Sequence, residues 1–297
     1  MVQEVGRKYI TEINPDFIYN RFDLFCDNYI VLMAERGQEI HIIEARLFDN
    51  YAELGIWKMH ISNELLKEIS DFLFQKSSNI GYIIFFFCKT EGDYKTVKHF
   101  YINLPDSSDA FLQRTSSKSR HRLNNQRHQV ERQIGSIIFH EYKKEDCPEE
   151  VIRHYSTWKE KSHNIGKIEN YNAYLQKYHI SNIYVLYFGE DIAAILFSCE
   201  QCSNAYLENL SYDIQYSKYS PGQQIYEYAM IRLIEKKIRC IFLGGGDYDY
   251  KRKYGSIEET LYDGVIFRNV LAKAKYNLIT YYNKHLYWKI KRIKQLL

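Results

Sequence analysis

The chain has 297 residues and a mass of 35.6 kDa, room for one large domain or two modest ones. Apolar residues at 45% and charged residues at 26% exclude wholesale disorder, and 40 Lys and Arg against 37 Asp and Glu, a net +3, exclude a generally polybasic protein. The longest apolar run, Tyr82 to Cys88, is far short of the ~20 residues of a membrane span. The start has no signal-peptide apolar region and the six cysteines are scattered, so a cytoplasmic protein with free thiols is expected. Only the aromatic content is unusual, with 28 Tyr and 16 Phe.

In chain order, Tyr29 to Ala34 and Glu39 to Phe48 read as strands split by Arg36-Gly37. Ser62 caps a helix with Leu65, Leu66, Ile69, Phe72 and Leu73 at helical spacing. Ile80 to Cys88 and Thr96 to Leu104 read as strands. Pro105 to Asp109 starts a long, polar, basic connecting helix, with Leu123 and Val130 on one face and Gly135 at its end. Helices follow at Glu149 to Ser162 and Tyr171 to Tyr178. Then come three strands, Ile183 to Phe188, Ile192 to Cys199 and Ala205 to Tyr212, joined by hairpin-length turns and therefore an antiparallel meander. Pro221-Gly222 opens a helix to about Lys237, and a strand Cys240 to Leu243 ends in Gly244-Gly245-Gly246. A turn or short helix at Asp247 to Tyr254, a strand Thr260 to Phe267 and a basic helix from Val270 complete the chain.

Two segments carry chemistry. A helix start directly after a strand presents free N–H groups and the positive end of a dipole, which together bind phosphate. Ser220-Pro221-Gly222-Gln223-Gln224 occupies such a start: proline suits the first helical turn, and glycine lets the backbone approach a ligand. The second segment, Gly244 to Gly255, follows a strand and puts Asp247, Tyr250 and Lys251 within one turn: a carboxylate, a phenol and a cation. It is neither a P-loop nor a dinucleotide fingerprint. Cys199-Glu-Gln-Cys202 lacks the second pair a structural zinc site needs, the ten histidines show no paired spacing, and no metal is expected.

Ser220-Pro221-Gly222, Gly246-Asp247 and Tyr250-Lys251-Arg252-Lys253-Tyr254-Gly255, preceded by a basic helix with Arg120, Leu123 and Val130, resemble the GNAT acyltransferase superfamily. More narrowly they resemble the CelD-like acetyltransferase domain related to the FemABX transferases, over about residues 104 to 268. The chain departs from that pattern at Asn124-Asn125, where the family has an Arg pair, and at Tyr254, commonly Trp. The resemblance implies an α/β (α+β) fold of two tandem GNAT-like domains. Each would be a mixed, largely antiparallel sheet flanked by helices, and the first would be degenerate. The expected boundaries are 1–134, including the connecting helix, and 135–297, which would bind acyl-CoA.

By the same resemblance, the pyrophosphate of acyl-CoA as co-substrate would sit on the N–H groups of Gly222, Gln223 and Gln224. Ser220 and Pro221 would shape that turn, and the strand Ala205 to Tyr212 would pair with the pantetheine arm. Glu208 or Asp247 would take the amine proton, Tyr250 would protonate the thiolate, and Lys251 would hold an acceptor phosphate or offset the charge of the tetrahedral intermediate. Arg120, Arg122, Lys251 and Tyr254 would contact substrate. The leading acceptor is a nucleotide-linked (dTDP- or UDP-) amino sugar for surface polysaccharide synthesis. Two other readings stay open: a FemABX-like aminoacyl transferase on a cell-wall precursor, and a non-catalytic module for nucleic acid or a membrane surface.

The near-neutral total hides a polarised chain. Arg114 to Arg132 carries six Lys and Arg against one Glu, and after Asp263 there are eight Lys and Arg and no acid, so the remainder carries −10. An anionic partner fits these segments, and the final helix is also placed to contact a membrane peripherally.

Overall fold

The computed structural model describes residues 2–5, 29–36, 39–55, 59–90, 92–163, 180–201, 203–245 and 249–282. In chain order the elements are β1 (Val2–Val5), β2 (Tyr29–Arg36), β3 (Glu39–Leu47), β4 (Tyr51–Gly55), α1 (Asn63–Lys76), β5 (Tyr82–Cys88) and β6 (Lys95–Asn103). They continue as α2 (Ser108–Leu112), α3 (Ser117–Gln133), β7 (Ile137–Lys143), α4 (Glu149–His163), β8 (Asn182–Phe188), β9 (Asp191–Gln201) and β10 (Asn204–Tyr212). The last are α5 (Pro221–Glu235), β11 (Cys240–Gly245), β12 (Ile257–Phe267) and α6 (Val270–Tyr282). The helix expected at Tyr171 to Tyr178 lies outside the described residues.

The chain forms two compact units, residues 1–97 with 260–297, and residues 98–259. Each is a mixed, largely antiparallel sheet flanked by helices. In the first, β1-β2-β3-β4 pair antiparallel, β4 and β5 pair parallel, and β12 adds antiparallel to β5. In the second, β7-β8-β9-β10 pair antiparallel, β10 and β11 pair parallel, and β6 adds antiparallel to β11. The pattern is the same in both, with one helix, α1 or α5, bridging the parallel pair. The sequence boundary at 134/135 therefore differs from the division into units. Most of β12 returns to the first unit, while most of β6 and the connecting helix belong to the second. That helix is also broken: Ser107 caps α2 and Ser116 caps a separate α3.

In the first unit, Ser62 Oγ accepts from Leu65 N at 3.2 Å to start α1. Its buried stripe of Leu65, Leu66, Ile69 and Leu73 packs with Leu32, Ile43, Leu54, Ile83 and Phe85. In the second, the alternation of β8 feeds two cores. Tyr184 and Leu186 pack with Ile225, Ala229 and Leu233 of α5, and Ile183 and Val185 pack with Val151, Tyr155 and Trp158 of α4. The thiols of buried Cys88 and half-buried Cys147 are pushed up to about 12 by desolvation, so neither supplies a thiolate near neutral pH.

A polar network ties the C-terminal end of α5 to the sheet. Arg232 Nε donates to Glu141 Oε2 at 2.9 Å, and Lys236 donates to Glu141 Oε1 and, at 2.6 Å, to Glu200 Oε2. Tyr184 donates its hydroxyl to Glu200. Burial pushes the Glu141 carboxyl upward, but the Lys236 and Arg232 hydrogen bonds and charges outweigh it and leave the pKa below the usual carboxylate value. A lowered acid pKa stabilises the fold fully above the ordinary carboxylate range, and the contribution is lost as pH falls through the lowered value. Glu141→Gln is expected to cost about 1–3 kcal/mol in urea unfolding at neutral pH. It should also flatten the acid limb of the melting temperature against pH; an unchanged acid limb would contradict this role.

Candidate functional site

The site begins where the parallel pair of the second unit stops pairing. β10 and β11 pair only at Asn204–Tyr206 with Cys240–Phe242. Beyond them β10 carries a bulge between Glu208 and Leu210, with Asn209 in the left-handed region at φ 59°. β11 has its own irregularity between Phe242 and Gly245, where glycine runs without side chains. The two strands diverge, and α5 begins beside the opened end of β10. A cleft of about 290 Å³ forms there between Leu210 and Tyr212 of β10, Ser220 to Gln223 at the start of α5, Tyr226 one turn on, and Tyr254.

The start of α5 is locally unusual. Ser220 is left-handed (φ 55°, ψ 50°), and its side chain makes no capping bond to the helix. Gln126 of α3 holds this turn instead, donating Nε2 to Ser220 Oγ at 3.0 Å and to Lys218 O at 2.9 Å. Pro221 follows, having no N–H to satisfy. Gly222 packs closely on β10: a Cβ there would stand 3.1 Å from Leu210 Cδ2 and 3.4 Å from Tyr212 Cδ1, so those side chains would have to give by a few tenths of an ångström. Arg122 Nη2 donates to Gln223 Oε1 at 3.0 Å, which puts a guanidinium beside a residue lining the cleft.

The expected anion cradle is smaller than the sequence suggests. The amides of Gln223 and Gln224 donate to Ser220 O at 3.0 and 3.1 Å, because the helix closes its first turn on that carbonyl. Gly222 N–H is left at the helix start with no backbone acceptor among the described residues. Gln224 is fully buried behind the turn and donates Nε2 to Tyr219 O at 2.9 Å.

The other expected site residues separate into three groups. Ser220, Pro221, Gly222, Gln223 and Tyr254 line the cleft, and Arg122 joins them through Gln223. Tyr254 is stacked on Phe111 (5.5 Å, 17°), and burial, reinforced by the charge of Glu227, raises its phenol pKa. Arg120 faces elsewhere, holding Leu112 O at 3.1 Å and Thr115 O at 2.5 Å between α2 and α3. Lys251 is 2% exposed, lies 5.6 Å from the Phe100 ring, and is not among the residues lining the cleft. Burial lowers its ammonium to about 8. Glu208 is on β10 immediately before the bulge, and Tyr250 is in a 3-10 turn at Asp249–Tyr254; their side chains, and all of Asp247, lie outside the described residues.

Sequence reading missed Gln126, Tyr212, Tyr226 and the partly buried pair of Arg127 with Glu227 (2.5 Å), which clamps α3 to α5. Gln126 lies one turn after Arg122 on the same helix face, and that spacing was the available signal. The family's Arg-pair position, here Asn124-Asn125, is exposed, and the contacts to α5 run through Arg122 and Arg127 instead. The first unit has a wider groove of about 610 Å³ bounded by Tyr51, Tyr82, Phe86, Tyr94 and Tyr276, with no helix start in its lining. Among the described residues, no three His, Cys, Asp or Glu cluster as a metal ion would need.

Residues 117–252 match the family model of the acetyltransferase (GNAT) domain. The fold is similar to that of the crystal structure of FemX, with a TM-score of 0.59 at 8% identity, covering 94% of this chain and 99% of that one. It is also similar to the C-terminal domain (DUF2156) of a putative lysylphosphatidylglycerol synthetase from Agrobacterium fabrum. There the TM-score is 0.50 at 12% identity, covering 86% of this chain and 85% of that one. No curated protein matches the sequence significantly. The splayed parallel strand pair and the uncapped helix start beside it both lie inside the stretch that matches the acetyltransferase (GNAT) domain model.

Proposed function

We propose that the cleft binds acyl-CoA and that the protein transfers the acyl group to the primary amine of a nucleotide-linked, dTDP- or UDP-, amino sugar. The observation that carries this reading is the uncapped start of α5, with Gly222 against β10 and Arg122 beside Gln223. In it, Gly222 N–H, the helix dipole and Arg122 receive the pyrophosphate. The edge of β10 freed beyond Tyr206 offers its backbone to the amides of the pantetheine arm. The amine nitrogen then attacks the thioester carbonyl. A C–N bond forms, the C–S bond breaks, one proton leaves the amine, and the sulfur leaves as thiolate. Glu208 or Asp247 accepts the amine proton, Tyr250 donates to the thiolate, and Lys251 supplies positive charge on the acceptor side.

The small cradle favours a second reading. With the Gln223 and Gln224 amides already bonded to Ser220 O, little backbone remains for a pyrophosphate, as would suit an aminoacyl transferase that uses no CoA. A calorimetric titration with acetyl-CoA separates the two. Measurable binding that Gly222→Val weakens at least about tenfold, with the melting temperature held, supports the first. No binding by the parent protein supports the second.

Turnover tests the acceptor side, read as thiol release from acyl-CoA with a panel of dTDP- and UDP-amino sugars. Lys251→Ala and Glu208→Gln are each expected to lower kcat at least about tenfold. Wild-type rates in both would remove these assignments. Because burial lowers Lys251 to about 8, its positive charge is lost as pH rises through that value. The profile of kcat/KM should therefore fall above pH ~8, and Lys251→Ala should lack that limb.

A further inference from the structure

The strongest feature outside the cleft is α6. Asn269 Oδ1 caps it, accepting from Ala272 N at 2.9 Å. One side is fixed to the first unit: the Tyr276 ring meets Tyr82 edge-on at 4.9 Å and Phe267 at 5.3 Å. Just before the helix, Arg268 holds the carbonyls of Phe74, Ser77 and Ile80, which sets the direction in which α6 leaves the sheet.

The opposite side is exposed and carries large apolar residues, with Lys275 set among them, four residues after Leu271 and three before Leu278. Val270 is 81% exposed, Leu271 80% and Leu278 69%, and α6 has no buried residue. Leu271, Leu278 and Tyr282 are seven and four residues apart, so they form one stripe, turned away from Tyr276. Lys273 and Lys275 are exposed on the same helix. From Gly264 to Leu297 the sequence carries eight Lys and Arg and no acidic residue.

Charge decides which partner covers the stripe. A second copy of the chain would bring two segments of +8 together with no acid on either to offset them. A nucleic acid would use the positive charge but leave the leucines in water. An anionic bilayer meets both demands, because the stripe enters the boundary between headgroups and acyl chains while Lys275 within it extends its ammonium up to headgroup phosphates and Lys273 adds charge from the flank. Among the described residues no helix is long and apolar enough to cross a membrane, so this contact is an in-plane one.

We propose that α6 docks the protein on an anionic lipid surface. The test is co-sedimentation of the full chain with phosphatidylcholine vesicles, with and without phosphatidylglycerol, over a salt series. Binding at least about tenfold stronger to the anionic vesicles and weakening with salt is expected. Leu271→Glu with Leu278→Glu, both at exposed positions, should lose that binding at an unchanged melting temperature. Lys273→Glu with Lys275→Glu should weaken it by several-fold. Equal binding by the leucine double variant overturns the proposal, as does equal or absent binding of the parent to both vesicle types. If instead the leucine variant converts a dimer to a monomer in sedimentation velocity without changing vesicle binding, a second copy covers the stripe and the proposal fails. Salt-dependent binding to duplex DNA without vesicle binding overturns it too.

Discussion

The cleft depends on where two parallel strands stop pairing. Parallel strands joined by a helix keep their ends in register only as long as both ladders continue. In the second unit the β10–β11 ladder ends after Tyr206 and Phe242, and the Asn209 bulge turns β10 away. Without that divergence the start of α5 would sit over a closed sheet, and Gly222 would have no open strand end to pack against. The rest of the site follows from it: Leu210 and Tyr212 become a wall, Gly222 packs closely against that wall, and Gln126 and Arg122 reach across from α3 to hold the turn.

The two units give an internal comparison. Both have the same strand pattern and a helix bridging the parallel pair. In the first, β4 and β5 stay paired from Tyr51 to Leu54, and Ser62 satisfies the helix start itself through Leu65 N. In the second, Ser220 occupies the same place before its helix, but its left-handed backbone takes the side chain away from the helix and toward Gln126. Two serines at corresponding positions thus have different uses. Local backbone geometry decides between them.

Much of this was legible in sequence, for identifiable reasons. Pro221-Gly222 after a strand marks the start of α5, and short turns mark the β8-β9-β10 meander, because both are local effects. The division into units was not legible. β6 is next to β5 in sequence, and no local pattern says that it pairs with β11 while β12 returns to β5. At the site, Arg120 and Arg122 look alike in a basic helix, yet two residues on a helix point about 200° apart. One therefore caps α2 while the other reaches Gln223. The bulge at Asn209 left no trace, since one left-handed residue does not disturb the alternation of a strand read as Ala205 to Tyr212.

The distribution of backbone cost points the same way. Among the described residues, three other than glycine have positive φ: Asn209, Ser220 and Lys237. Lys237 has an ordinary explanation, because it ends α5 in the usual left-handed turn, with Ile238 N returning to Leu233 O at 3.0 Å. The other two flank the cleft. A left-handed residue that is not glycine costs about 1–3 kcal/mol, least for Asn, and a helix start without its own cap gives up about 1 kcal/mol more. Against a typical net stability of about 5–15 kcal/mol, that is a substantial sum to concentrate between Asn209 and Gly222. A glycine at 220, or a serine cap like that of Ser62, would relieve part of it. The fold carries the cost where β10 opens and α5 starts uncapped, and the same two features give the cleft its exposed strand edge and its electropositive end.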